Sequence, residues 1–280
     1  SDRMQNRPIS ILVEALRSLG ADIDYVKKEG YPPLRIKGKR FDQARVSIQG
    51  NVSSQYISAL LLMAPGLDKG LEIELLGMIT SVPYINMTLS LLKDLGISYQ
   101  WEGNVIKIEP KKTIQERVMT IESDWSSASY FYSLVALSER GQVSLSAYKQ
   151  NSLQGDSSLA EIYQHFGVTT AFNEHTITLT KKPKALNHLT LDLSNSPDLA
   201  QTIVVSCFGL GIGCDLSGLH TLKIKETDRL VALQQELEKL GAKISITDKS
   251  LHLKPGKAIK ENVSIDTYDD HRMAMAFAPL

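Results

Sequence analysis

The sequence predicts an α/β protein made by repeating one unit of strand, helix, strand, helix, strand and strand. Three observations predict it. Four amphipathic helices each end at a glycine, and these glycines lie 76, 71 and 74 residues apart. Alternating, strand-like residues follow every stop. A short apolar strand leading into a Ser- or Asp-started helix recurs ahead of the stripes.

The elements follow in order. Leu12, Leu16 and Leu19 place a first stripe that stops at Gly20. Ile85, Leu89, Leu92 and Leu95 stop at Gly96, and Leu159, Ile162 and Phe166 stop at Gly167. Leu230, Leu233, Leu237 and Leu240 stop at Gly241. Steps of three and four residues set each stripe on one helix face. A glycine just past the last apolar residue provides the left-handed stop. Strands follow at Leu34/Ile36, Val105–Ile108, Thr176–Leu179 and Leu251/Leu253. The leading strand and helix are Val46–Ile48 into Ser53-Ser54-Gln55, Met119–Ile121 into Ser126-Ser127, and Leu191–Leu193 into Ser196-Pro197-Asp198. A last copy begins at Val263–Ile265 and enters His271-Arg272-Met273. Proline at the first helical position after serine marks a helix start.

Composition narrows the function. The 280 residues carry 31 Lys+Arg against 31 Asp+Glu, with 42% hydrophobic residues. That is a globular balance. Zero net charge with no basic tail argues against a nucleic-acid partner. The longest nearly apolar run, Ile203–Cys214, is too short to span a membrane. The two cysteines, Cys207 and Cys214, lie in that run, read as buried free thiols and place the chain in the cytoplasm. No cysteine pair or histidine cluster has metal-ligand spacing, so no metal is expected.

The densest polar cluster is Lys225-Glu226-Thr227-Asp228-Arg229. The spacing of Lys225 and Arg229 puts them on one helix face, with Glu226 beside them. Such a run is either a solvated first turn suited to the helix dipole or a functional site. Ser53, Ser54 and Gln55 open a helix, where hydroxyls and free N–H groups suit either a plain cap or an anion. Asp198 stands in apolar surroundings as a dipole partner or a general base. In the knot Asp269-Asp270-His271-Arg272, Arg272 has the fork that clamps a carboxylate or phosphate. Tyr84, in Ser81-Val-Pro-Tyr84, opens a helix as packing or as a polar handle.

Taken together, these motifs resemble the 5-enolpyruvylshikimate-3-phosphate synthase family. The stretches that carry the likeness are Arg3-Met4 with Arg7-Pro8-Ile9, Tyr31–Leu34, Ser53–Tyr56, Pro83-Tyr84, Ser126–Tyr130, Asn151–Asp156, Ser196–Asp198, Lys225–Arg229 and Asp270–Met275. They run nearly end to end, and their order and spacing make the set specific. The resemblance implies an inside-out α/β barrel of repeated βαβαββ units in a two-domain enolpyruvyl transferase fold, with substrates in the cleft between domains. Residues 1–121 then belong to the first domain, as half a repeat and one full repeat. Residues 122–280 belong to the second, as two repeats and the start of a third.

The implied reaction moves the enolpyruvyl group of phosphoenolpyruvate to the 5-hydroxyl of shikimate 3-phosphate and releases phosphate. No cofactor is implied. By position, Ser53, Ser54, Gln55 and Ser81, with Tyr84 beside them, resemble the contacts to shikimate 3-phosphate. Arg3, Gln55, Arg229 and Arg272 resemble those to phosphoenolpyruvate. Asp198 and Lys225 resemble the groups that hold and deprotonate the hydroxyl, and Glu226 the acid that protonates the methylene carbon. The chemistry is consistent: two anionic substrates suit guanidinium forks, and the addition needs one proton removed and another delivered.

One departure is Thr221, where the family has asparagine. The phase of the repeats predicts that the chain is a piece of a protein of roughly six units and 420 residues, monomeric when whole, and inactive as a fragment. Two rivals make different predictions. A sister transferase acting on a UDP-amino sugar uses a reactive loop cysteine. A non-catalytic repeat scaffold has no need to gather Asp198, Lys225, Glu226, Arg229 and Arg272.

Overall fold

A computed structural model describes every residue except Ser1, Val52, Arg117, Lys184, Ala185, Glu226, Lys257 and Ala258, together with the side chains of Asp2, Arg3 and Ile224. The chain divides into two compact units, residues 1–119 and 120–280.

The first unit opens with a 3-10 turn, Asp2–Asn6, then helix α1 (Ser10–Ser18) and an antiparallel pair, β1 (Asp22–Tyr25) with β2 (Leu34–Lys37). A complete repeat follows: β3 (Arg45–Gln49), α2 (Ser54–Met63), β4 (Leu71–Leu76), α3 (Val82–Asp94), β5 (Tyr99–Glu102) and β6 (Val105–Ile108). Its sheet has the order β3-β4-β6-β5, with β3 parallel to β4 and the other pairs antiparallel. Side chains alternate across the sheet. Val46, Ile48, Leu71, Ile73, Leu75, Ile106 and Ile108 are therefore buried together on one face, against Ile57, Leu60, Leu61, Ile85 and Leu89 of the two helices.

The second unit begins with α4 (Trp125–Leu137), β7 (Gln142–Ser146), the short α5 (Leu159–Ile162), β8 (Val168–Asn173) and β9 (Thr176–Lys181). Its sheet, β7-β9-β8, is wholly antiparallel. A second complete repeat comprises β10 (His188–Asp192), α6 (Ala200–Gly209), β11 (Gly213–Ser217), α7 (Arg229–Lys239), β12 (Ile244–Ile246) and β13 (Leu251–Leu253). Its order, β10-β11-β13-β12, reproduces that of the first sheet, again with a leading parallel pair. Helix α8 (His271–Phe277) closes the sequence.

Helix α6 lies at the core of the second unit. Every residue of α6 from Ala200 to Phe208 is buried, and α6 packs on both α4 and α8, the corresponding helices of its neighbours. A core helix still needs its hydroxyls paired. Ser129 meets Thr202 at 3.0 Å and Ser133 meets Ser206 at 2.9 Å, each across 73 residues of sequence. Polar contact positions thus recur at the repeat period.

The four stop glycines Gly20, Gly96, Gly167 and Gly241 all have positive φ. At Gly167 a side chain would also collide, since a Cβ would stand 2.3 Å from the carbonyl oxygen of Lys182.

The structure corrects three expectations. Met119–Ile121 and Val263–Ile265 are not strands. A strand exists only where a neighbour offers its backbone, as β4 does for β3. Ile121 is 74% exposed, and among the described residues neither segment is hydrogen-bonded into a sheet. The Leu159–Phe166 stripe is not one α-helix either. It is α5 followed by a tighter 3-10 turn, Tyr163–Phe166, in which fully buried Tyr163 directs its hydroxyl to Ser206 Oγ at 2.9 Å. Among the described residues, no helix is long and apolar enough to cross a membrane.

Candidate active site

The parallel strand pair of each complete repeat ends at one edge of its sheet, and the helix-opening loops gather there. Ligands of open α/β sheets sit beyond the carboxyl ends of such strands.

In the first unit, β3 and β4 end in register at Gln49 and Leu76. Ser53 is the N-cap residue of α2, Ser54 and Gln55 are its first two residues, and Ser81 is the N-cap residue of α3. The Thr80 N–H donates to the Gly50 carbonyl at 3.0 Å and so ties the two loops together. Ser81 has φ +54, and neither Ser53 nor Ser81 uses its hydroxyl as a cap. The structure therefore brings Ser53, Ser54, Gln55, Ser81 and Tyr84 to one sheet edge with helix N-termini behind them, a setting that favours anions. Arg3 lies in the 3-10 turn Asp2–Asn6, and its side chain is outside the described residues. A cavity lined by Phe41, Asp42, Leu67 and Lys69 is at the opposite end of the sheet, before β3 and β4 begin.

In the second unit, the corresponding edge is charged. Pro197 starts a 3-10 turn, Pro197–Leu199, that runs into α6 and presents Asp198. Three cations converge on this carboxylate. Arg229 Nη1 donates to Asp198 Oδ1 at 2.9 Å, Lys225 Nζ is 3.3 Å from Oδ1, and Arg272 Nη2 is 3.6 Å from Oδ2. Burial alone would raise the pKa of Asp198, but Lys225, Arg272 and Arg229 together hold it below the usual carboxylate range. Arg229 is 1% exposed, whereas Lys225 is 27% and Arg272 15% exposed. A ligand reaching the edge therefore meets Lys225 and Arg272 in front of a sealed Arg229.

Lys225 and Arg229 do not share a helix face, contrary to the sequence expectation. Lys225 is extended, with φ −85 and ψ −150. Helix α7 starts only at Arg229, because the Asp228 side chain accepts the Val231 N–H and caps it there. The two cations meet through Asp198 instead. Nor is the cluster a solvated first turn, given the burial of Arg229. Glu226, the expected acid, lies outside the described residues.

Two contributors were not singled out from sequence. Asp270, fully buried, caps α8 by accepting the Arg272 N–H at 2.9 Å and takes Arg229 Nε–H at 2.8 Å. Burial opposes its charge, but the Arg229 guanidinium and the Arg272 N–H keep its pKa low. Gln201, in the orientation that satisfies both neighbours, donates to the Asp198 carbonyl at 3.0 Å and accepts from Arg229 Nε at 3.1 Å. An acid at a helix cap and one amide in an apolar helix were the available signals. Arg272 is opposed by burial too, yet Asp198, with Tyr130, Asp156 and Asp124 further off, raises its pKa. Thr221 Oγ1 is buried with no hydrogen-bond partner among the described residues. His271 is 69% exposed. Among the described residues, no group of three His, Cys, Asp or Glu side chains is arranged to hold a metal.

Three cations around one carboxylate, beside an accessible edge, can bind a small dianion and hold a carboxylate ready for a proton. The profile described as EPSP synthase (3-phosphoshikimate 1-carboxyvinyltransferase) matches residues 1–279. The chain is 46% identical over 282 residues to the 3-phosphoshikimate 1-carboxyvinyltransferase of Bacteroides fragilis, covering 100% of this chain and 68% of that protein. It is 38% identical over 281 residues to the protein of that name from Neisseria meningitidis, covering 99% of this chain and 64% of the relative. A solved EPSP synthase from Acinetobacter baumannii shares the fold with a TM-score of 0.75 at 21% identity, over 99% of this chain and 64% of that one. The chain thus spans about two thirds of the length of the proteins it matches.

Proposed function

The chain belongs to the EPSP synthase family, and from that premise we propose that the protein carrying it is the enolpyruvyl transferase of aromatic amino-acid biosynthesis. It moves the 1-carboxyvinyl group of phosphoenolpyruvate to the 5-hydroxyl of shikimate 3-phosphate and releases phosphate. The observation that carries this reading is Asp198 set among Lys225, Arg229 and Arg272.

Phosphoenolpyruvate brings a carboxylate and a phosphate. Arg272 presents a planar fork to such groups, with the sealed Arg229 behind it. Ser53, Ser54, Ser81 and Tyr84 bind shikimate 3-phosphate, whose phosphate suits hydroxyls at helix N-termini. Asp198, held ionised, accepts the 5-hydroxyl proton while Lys225 steadies the developing alkoxide. The oxygen adds to C2 of phosphoenolpyruvate as Glu226 gives a proton to the methylene carbon. Return of one proton from the new methyl group to Glu226, and departure of phosphate carrying the proton that Asp198 took from the hydroxyl, restore the double bond and both side chains.

An anionic ligand also offers the exposed cations Lys225 and Arg272 a second partner. As they share themselves with it, Asp198 loses part of the field that depresses its pKa and becomes a better base. The sister reaction on a UDP-amino sugar draws no support, since Cys207 and Cys214 are both buried, in α6 and β11. Those free thiols fit a cytoplasmic setting. The intact protein, incubated with phosphoenolpyruvate and each acceptor in turn, tests the assignment. New vinyl proton resonances on shikimate 3-phosphate support it, and vinyl transfer only to the UDP-sugar overturns it.

A further inference from the structure

Asp270 and Arg272 are delivered by a segment that the backbone disfavours. Tyr268 and Asp269 have φ of 56 and 50, two successive side-chain-bearing residues in the left-handed region. Such conformations persist only where the surroundings over-determine them. The surroundings here include Glu236 and, beside it, Gln235, whose Oε1 is 2.8 Å from the Tyr268 hydroxyl. The Glu236 side chain is 0% exposed and sits on α7 seven residues beyond Arg229, on the same helix face. Tyr268 donates its hydroxyl to Glu236 Oε1 at 2.6 Å, and the Asp266 N–H donates to Oε2 at 3.1 Å. Lys239 Nζ donates to both carboxylate oxygens, at 2.9 and 2.8 Å, and to Asp266 Oδ2 at 2.7 Å. Burial and the Glu236 carboxylate push the Tyr268 phenol up to about 12, so it remains a donor at neutral pH.

One face of α7 therefore grips the segment twice, through Arg229 on Asp270 and through Glu236 on Tyr268 and Asp266. We propose that Glu236 is a positioning residue for the reaction: acting through Tyr268, it fixes the loop so that Asp270 orients Arg229 and caps the helix that aims Arg272. Glu236 touches no substrate. The proposal rests on the phosphoenolpyruvate reading of Arg229 and Arg272.

Tyr268→Phe removes the hydroxyl and keeps the ring. In the intact protein it raises KM for phosphoenolpyruvate about tenfold, the scale set by a small misplacement of a binding group, and leaves KM for shikimate 3-phosphate unchanged. Glu236→Gln shows the same split. Ile177→Val, in the buried face of β9, serves as the control because it loosens the same unit away from the loop. An unchanged KM in Tyr268→Phe, or an equal rise in Ile177→Val, overturns the proposal. If the wild-type protein shows no turnover, the functional reading is what has failed. Amide exchange then decides the clamp by itself: faster exchange at Asp270 and Arg272 in Tyr268→Phe supports it, and unchanged exchange overturns it.

Discussion

Arg229 and Asp270, 41 residues apart in the chain, form an ion pair sealed from water, with Nε 2.8 Å from Oδ2 and side chains 1% and 0% exposed. A buried pair adds little stability compared with apolar residues of the same volume, yet losing one partner strands the other charge. The pair is therefore better understood as a device that aims Arg229 at Asp198 than as a source of stability.

Asp270→Ala strands the Arg229 guanidinium and removes the cap of α8. The expected cost is about 3–5 kcal/mol, read from urea unfolding of the wild type and the variant. Asp270→Asn keeps a cap acceptor and should lose less. Equal stability of Asp270→Ala and wild type would refute the burial argument.

Acid should weaken the second unit through Asp198 and Asp270. Both have folded pKa values below normal. Their contribution is fully present above the unfolded value of about 3.9 and is lost as pH falls through the lower folded values. Thermal melts between pH 7 and pH 2 should show an acid limb that shrinks in Asp198→Asn. A limb of undiminished size in that variant would assign it to other carboxylates.

Lys225→Met separates chemistry from stability. The Lys225–Asp198 contact is partly exposed and long, so the loss in stability should stay within about 1 kcal/mol. Turnover in the intact protein should fall by about 10²–10⁴ if the amine steadies the alkoxide. Steady-state kinetics beside a melting curve checks both. A large stability loss with little kinetic change would reverse the assignment.

Gly167→Ala and Gly103→Ala separate two costs of glycine replacement. Both residues have positive φ, but only at Gly167 does a Cβ meet a carbonyl oxygen. Gly103→Ala should cost about 1–2 kcal/mol, the left-handed penalty alone. Gly167→Ala should cost clearly more in the same denaturant titration.

The repeat was legible because its signals are local: an apolar stripe of period 3.6 and a glycine at its end. The leading strands at Met119–Ile121 and Val263–Ile265 were misread, because alternation shows that residues suit a strand without showing that a partner lies beside them. Asp198 and Arg272 stood out as charges against apolar helices. Asp270 and Gln201 did not, since their roles come from contact with Arg229, 41 and 28 residues away in sequence. The shared helix face assigned to Lys225 and Arg229 overlooked Asp228, whose capping role is itself a local signal.

The central claim is that Asp198 takes the hydroxyl proton. Phosphate release that requires both phosphoenolpyruvate and shikimate 3-phosphate, compared between the intact wild-type protein and Asp198→Asn, tests it most directly. The account predicts turnover in the wild type and a fall in kcat of about 10²–10⁴ in the variant, the range for removing a general base. A variant with wild-type kcat, or a wild-type protein that releases no phosphate with both substrates present, would contradict it.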